Sequence, residues 1–148
     1  MERTFVMIKP DGVGRGLVGE CIRRFERRGL KLAALKMQQL TRDQAQRHYA
    51  EHKDEPYFEA LIAFITSGPT VQLVLEGRDA VAQVRKMNGA TNCLDAAVGT
   101  IRGDLGLSNR KNLIHGSDSL ETASREIALY FADDEVLSYA FPHEDWFV

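Results

Sequence analysis

The chain has 148 residues, 44% of them apolar, enough for one sizeable core and too few for two ordinary domains, so residues 1–148 are read as a single domain. Its 19 basic and 21 acidic side chains nearly cancel, which excludes a global field strong enough to hold nucleic acid or an anionic membrane; phosphate must be bound by a local site. No signal peptide or membrane span is legible, and Cys21 and Cys93 fit neither a disulfide framework nor a zinc site, so a cytoplasmic setting is expected.

Thr4 to Ile8 is an apolar run predicted as a strand, and Lys9-Pro10-Asp11-Gly12 after it has proline and glycine where a type I turn favours them. From Leu17 to Arg28, Leu17, Cys21, Ile22 and Phe25 recur at helical spacing among basic residues, and Gly29 supplies a stop. Leu30 to Leu40 reads as a second strand. Thr41 is placed to cap a short polar helix with Ala45 and Tyr49 on one face, and a further helix is expected from Pro56, a tolerated first position, to Ile65. Thr70 to Leu75 gives a third strand, and Asp79 is expected to cap a helix through Met87. Asn88 to Lys111 reads as a long irregular loop, of a length that usually carries function. Asn112 to Ile114 is a short fourth strand, and Ser119 caps a helix to Phe131 before a tail ending in aromatic residues. Strands and helices in this order fit a ferredoxin-like α+β sandwich of split βαβ units, with helices packed on a four-stranded antiparallel sheet.

Gly14-Arg15-Gly16-Leu17-Val18-Gly19 matches the dinucleotide fingerprint, but Lys31 to Leu40 lacks the acid that would bind the ribose, so these glycines are assigned to turn geometry. No P-loop pattern is present. His48 and His52 lie one helical turn apart without a third ligand, and are read as a solvated helix face. The informative segment is Asn112 to Ser119, where His115 follows an apolar strand and precedes a capped helix, a setting that favours phosphate oxygens. Lys9, Arg85, Arg102, Thr91 and Asn112, from other segments, are the cationic and neutral donors that could converge on it.

Asn112-x-x-His115-Gly116-Ser117-Asp118-Ser119 resembles the hallmark of nucleoside diphosphate kinases. Ile8-Lys9-Pro10-Asp11-Gly12, Arg15-Gly16-Leu17, Ser67-Gly68-Pro69 and Gly99-Thr100-Ile101-Arg102-Gly103-Asp104 extend the resemblance over essentially the whole chain. It implies exchange of the γ-phosphate between nucleoside tri- and diphosphates by a ping-pong route through phosphorylated His115. It also implies that Lys9, Tyr49, Arg85, Thr91, Arg102 and Asn112 surround the phosphates and sugar, and that Tyr57 stacks on the base. Glu126 would bond the other imidazole nitrogen with Ser117 beside it, and Mg2+ would be held mainly by the nucleotide phosphates. The resemblance further implies a homo-oligomer, and the tail Asp145-Trp146-Phe147-Val148 is closer to hexameric than to tetrameric members. Cys93 and Val98 stand where relatives usually have proline, and Asn109 where many place an apolar residue against the base.

Two other readings make different demands. An RNA-recognition module shares the split βαβ order but needs aromatics in basic strands, and Thr70 to Leu75 has none. A relative that had lost catalysis would lack phosphate-site residues, and all of those expected are present.

Overall fold

The computed structural model describes residues 1–142 and 144–147. Four strands, β1 (Glu2–Ile8), β2 (Lys31–Gln38), β3 (Thr70–Gly77) and β4 (Ile114–Gly116), form one sheet in the order β2-β3-β1-β4. Every neighbouring pair is antiparallel, with β1 central and registered from Glu2 opposite Gly77 to Ile8 opposite Val71. This is the ferredoxin-like arrangement.

The pleat turns successive side chains of β1 to opposite faces. Val6 and Ile8 enter a core with Phe25, Leu73, Val84 and Leu113. Phe5 and Met7 enter a second core with Ala45, Ile62, Val74 and Tyr130. Because both faces are covered, β1 reads as a continuous apolar run and not as an alternating one. Helices α2 (Val18–Arg27) and α5 (Ala80–Asn88) supply residues to the first core, while α3 (Arg42–His48), α4 (Phe58–Ile65) and α7 (Leu120–Tyr130) supply the second.

Local signals explain several boundaries. Thr41 Oγ1 accepts from the Gln44 amide at 3.1 Å, and Gln44 Oε1 accepts from the Thr41 amide at 3.0 Å, a capping box worth about 1 kcal/mol. Ser119 caps α7 by accepting from the Thr122 amide at 3.1 Å. Gly29, at φ 92°, ends the chain path of α2 in a conformation closed to most side chains.

Other boundaries differ from the sequence reading. Pro10 to Gly14 is a short helix, α1, and not a turn; the inner residue of a type I turn and a first helical turn share the same backbone region, so the motif suits both. Pro56 lies outside α4, which starts at Phe58. Asp79 holds the cap position of α5, but at φ 49° and with no side-chain capping bond. The predicted loop contains a helix, α6 (Ile101–Leu105), capped by Thr100. β4 begins two residues later than expected, which places His115 inside the strand opposite Met7.

Of the two loop positions noted above, Cys93 is buried and Val98 is exposed. The tail motif lies partly outside the described residues, which exclude Val148 and the Phe147 side chain. Among the described residues no helix is long and apolar enough to cross a membrane.

Candidate active site

The end of β1 and the start of β4 are locked together. The Lys9 amide donates to the Leu113 carbonyl at 2.9 Å, and the Leu113 amide donates to Asp11 Oδ2 at 3.0 Å. Leu113 is thereby held at φ 76°, a left-handed conformation that a leucine adopts only when its surroundings enforce it. Gly12 makes the approach possible: a Cβ there would lie 2.7 Å from Ile8 Cγ2 and 3.0 Å from the Leu113 carbonyl oxygen. The strand that leaves this elbow carries His115.

Both carboxylate oxygens of Glu126, on α7, lie 2.9 Å from His115 Nε2. The Ser117 hydroxyl donates to Glu126 Oε1 at 2.5 Å. Glu126 is 2% exposed, so this carboxylate meets its hydrogen-bonding needs from the protein and not from water. An ionised carboxylate only accepts, which assigns the imidazole proton to Nε2 and the ring lone pair to Nδ1. Among the described residues Nδ1 has no hydrogen-bond partner.

His115 lines a cavity of about 190 Å³ together with Lys9, Tyr49, Arg85, Thr91, Arg102 and Asn112. Six residues expected from sequence to meet at one place are therefore brought there. Lys9 Nζ donates to Asn112 Oδ1 at 2.8 Å, and Asn112 Nδ2 donates to the Thr91 carbonyl at 3.2 Å, tying strand, elbow and loop into one wall. Burial first, and the Arg102 charge second, lower the Lys9 ammonium from the ordinary 10.5 to about 8. Tyr49 moves the other way, to about 12, through burial and then the Glu126 charge, so its hydroxyl keeps its proton as a donor.

Arg102 is more deeply committed than its sequence context suggests. Its guanidinium donates to the carbonyls of Asn112 at 3.1 Å, Gly89 at 2.8 Å and Ile114, and so pins α6 to the elbow and to β4. A guanidinium has five N–H bonds, so capacity remains for an anionic ligand. Arg85 Nη1 makes one long bond, 3.4 Å, to the Gly116 carbonyl.

Three expectations fare differently. Tyr57 is 42% exposed and does not line the cavity; its hydroxyl lies 3.3 Å from His52 Nδ1. Asn109 is exposed and likewise outside the cavity lining. His48 is not on a solvated face: it is 5% exposed, its ring meets that of His115 edge-on at 4.7 Å, and its Nδ1 lies 3.1 Å from the Tyr130 hydroxyl. The sequence does carry a signal for this, since Ala45 shares the buried face of α3 three residues earlier. Tyr130 is absent from the sequence expectations, although it falls four residues after Glu126 on the same side of α7.

His48, His115 and Glu126 place one potential metal ligand each within 4.8 Å of one another. Two imidazoles and one already bonded carboxylate do not suit Mg2+, which prefers oxygen and keeps much of its water. Besides Glu126 the cavity wall carries the carboxylates of Glu51 and Asp118, and the Thr122 hydroxyl and then Arg85 hold the Asp118 carboxyl below the usual range. An ion carried on phosphates and needing few protein ligands fits this wall.

A sequence model of the nucleoside diphosphate kinase family matches residues 2–136. The chain is 56% identical over 146 residues to a nucleoside diphosphate kinase of Archaeoglobus fulgidus, covering 99% of this chain and 97% of the relative. It is 61% identical over 137 residues to a nucleoside diphosphate kinase of Thermus thermophilus, covering 93% of this chain and all of the relative. Among solved structures, the halophilic enzyme of Halobacterium salinarum in complex with CDP superposes with a TM-score of 0.97 at 50% identity, covering 99% of this chain and 98% of the other. A nucleoside diphosphate kinase family protein from Babesia bovis gives the same score at 44% identity, with complete coverage of both. Similarity this high over nearly the full length leaves one assignment: the chain belongs to the nucleoside diphosphate kinase family of nucleotide-binding phosphotransferases.

Proposed function

We propose that the γ-phosphate this enzyme moves from a nucleoside triphosphate to a nucleoside diphosphate rests in transit on His115 Nδ1. The observation that carries the reading is the division of the ring: Nε2 is bonded to Glu126, while Nδ1 has no partner among the described residues, on a ring that lines the cavity. In the first half-reaction the Nδ1 lone pair attacks the γ-phosphorus. An N–P bond forms, the bond to the bridging oxygen breaks, and its electron pair leaves with the nucleoside diphosphate. A terminal oxygen of the second diphosphate then attacks the same phosphorus, and the N–P electrons return to the ring. The Nε2 proton stays between the ring and Glu126 throughout.

Lys9, Arg85 and Arg102 supply positive charge where the equatorial oxygens accumulate negative charge, and Tyr49, Thr91 and Asn112 supply neutral donors. Asp118 is a wall carboxylate that would help hold Mg2+ carried on the nucleotide phosphates, and the ion would supply further charge neutralisation there. Tyr57, whose hydroxyl lies 3.3 Å from Nδ1 of His52 on the cavity wall, stacks on the base through a face that every base has, so base tolerance is broad. We place the enzyme in the cytoplasm as a homohexamer, a tetramer being the alternative, with no requirement for nucleic acid or membrane; sedimentation of the native protein decides the oligomer.

Brief exposure to radiolabelled ATP tests the central step. The protein should acquire phosphate that is labile in acid and stable in alkali, His115→Ala should acquire none, and double-reciprocal plots should be parallel. Intersecting plots with an unlabelled protein would establish direct transfer between nucleotides.

A further inference from the structure

We propose that Tyr130 and His48 are positioning residues for the transfer: the Tyr130 hydroxyl donates to His48 Nδ1, and this fixes the His48 Nε2–H toward Glu126, the carboxylate that holds His115. The inference rests on the reading of His115 given above and extends it outward from Glu126.

The geometry gives a linear order. Tyr130 Oη lies 3.1 Å from His48 Nδ1, His48 Nε2 lies 3.8 Å from Glu126 Oε2, and Glu126 lies 2.9 Å from His115 Nε2. All three outer members are buried, with Tyr130 at 4%, His48 at 5% and Glu126 at 2% exposure. The Tyr130 ring is fixed by stacking on Phe5 at 4.9 Å with 7° between planes, so its hydroxyl approaches His48 from a set direction.

His48 is neutral: burial, and then the neighbouring His115, Lys9, Arg125 and His52, hold its basicity well below the usual value. Two neutral tautomers remain. With the proton on Nδ1, the Nε2 lone pair would face the Glu126 carboxylate, two acceptors at 3.8 Å between side chains that are both buried. With the proton on Nε2, an N–H dipole faces Oε2, and Nδ1 accepts the hydroxyl proton of Tyr130, a phenol that burial keeps protonated. Only the second arrangement leaves no acceptor against an acceptor.

The consequence falls on Glu126. Ser117 donates a hydrogen bond to Oε1, and the His48 N–H dipole faces Oε2 across 3.8 Å, so Oε1 has a hydrogen bond and Oε2 an electrostatic neighbour besides His115. When Nδ1 bonds to phosphorus the ring becomes more electron-poor, and the Nε2–H leans harder on Glu126. An anchored carboxylate meets that demand without rotating, which keeps Nδ1 aimed at the phosphorus.

Tyr130→Phe removes one oxygen and tests the chain. Its single-turnover phosphorylation from ATP should be about three- to tenfold slower, the effect of one hydrogen bond, with nucleotide Kd unchanged. In 15N-resolved spectra the wild-type His48 should be the Nε2–H tautomer, and Tyr130→Phe should shift it toward a mixture. His48→Gln, which restores an N–H donor at the position of Nε2, should recover rate relative to His48→Leu; loss through packing alone would not be recovered this way. Wild-type rate in Tyr130→Phe, an Nδ1–H tautomer for His48 in the wild type, or equal rates for His48→Gln and His48→Leu would each overturn the proposal. Should the wild type form no phosphohistidine, the reading of His115 falls by itself, and the tautomer of His48 still decides whether the chain of donors exists.

Discussion

The two sides of one imidazole ring are built on opposite plans. On the Nε2 side, Glu126, Ser117, His48 and Tyr130 are buried and their polar atoms face one another. On the other side, Lys9, Tyr49, Arg85 and Thr91 line an open cavity whose wall carries Lys9, Arg85, Arg102 and Arg125 against Glu51, Asp118 and Glu126. The first side resembles a protein core with its polar groups turned to one another; the second is an open wall with more cationic than acidic side chains, a surplus that suits an anionic ligand. Orientation of the nucleophile and affinity for the nucleotide are thus separable, and substitutions on the two sides should leave different kinetic signatures.

The largest expected effect comes from Arg102, which serves both the cavity and the fold. Arg102→Met removes the guanidinium donors from the carbonyls of Gly89, Ile114 and Asn112, the last of which keeps the Ile114 amide at 2.8 Å. Chemical denaturation should show a loss of about 3–5 kcal/mol, and kcat/KM should fall by about 10²–10³. A variant with near-native stability would mean that water replaces the guanidinium at those carbonyls. Next is Glu126→Ala, which acts on the orienting side alone: kcat should fall roughly ten- to a hundredfold with KM little changed. A rise in KM with unaltered kcat would erase the distinction between the two sides.

On the binding side, Lys9 gives a pH signature. Its proton is lost near pH 8 in the folded protein and near 10.5 in an unfolded chain. Between those values the unfolded state binds more protons, so the Lys9 contribution makes stability rise with pH across that window; below pH 8 its burial is a constant penalty. Nucleotide phosphates favour the charged form, so binding above pH 8 should take up close to one proton and weaken by up to about tenfold per pH unit. Calorimetry in two buffers of different ionisation enthalpy measures the uptake, which should vanish in Lys9→Met. The smallest effect belongs to the exposed Tyr57. Tyr57→Ala should weaken nucleotide binding by about 1 kcal/mol, the low end for base stacking, because the ring is 42% exposed, and should affect purines and pyrimidines alike.

The sequence reading serves the two sides unequally. Lys9, Arg102 and Asn112 lie in motifs whose glycines and proline mark them out, while Arg85 stands on a helix and Thr91 in the long loop without such marks, and the structure brings all five to the cavity. His48 and Tyr130 have no such punctuation. A histidine between polar neighbours on an amphipathic helix looks solvated until the opposing helix is known, and α3 meets α7 only in the fold. The same limit applies to α1 and α6: each has five residues, too short for periodicity to separate from a turn, and each exists because tertiary bonds at the elbow and the Arg102 clamp stabilise it. Strand β1 is legible because burial on both faces leaves the apolar run Phe5 to Ile8, and β3 because Val71 and Leu73 to Leu75 do the same around a buried Gln72.

Gly12 touches no phosphate in this scheme, yet it sits inside one of the motifs that extend the family resemblance beyond the His115 segment. Its lack of a side chain is demanded by Ile8 and the Leu113 carbonyl, which leave no room for a methyl group. A copy of this chain whose His115 had been replaced would still need the same glycine to close the same elbow. Lineages that abandon the reaction but retain the fold will therefore keep part of the signature by which the reaction is recognised, and a motif scan cannot tell a working enzyme from its inert descendant at this position. The discriminating letters lie elsewhere, at side chains such as Glu126 that the fold could replace with an apolar residue once no imidazole needed to be held.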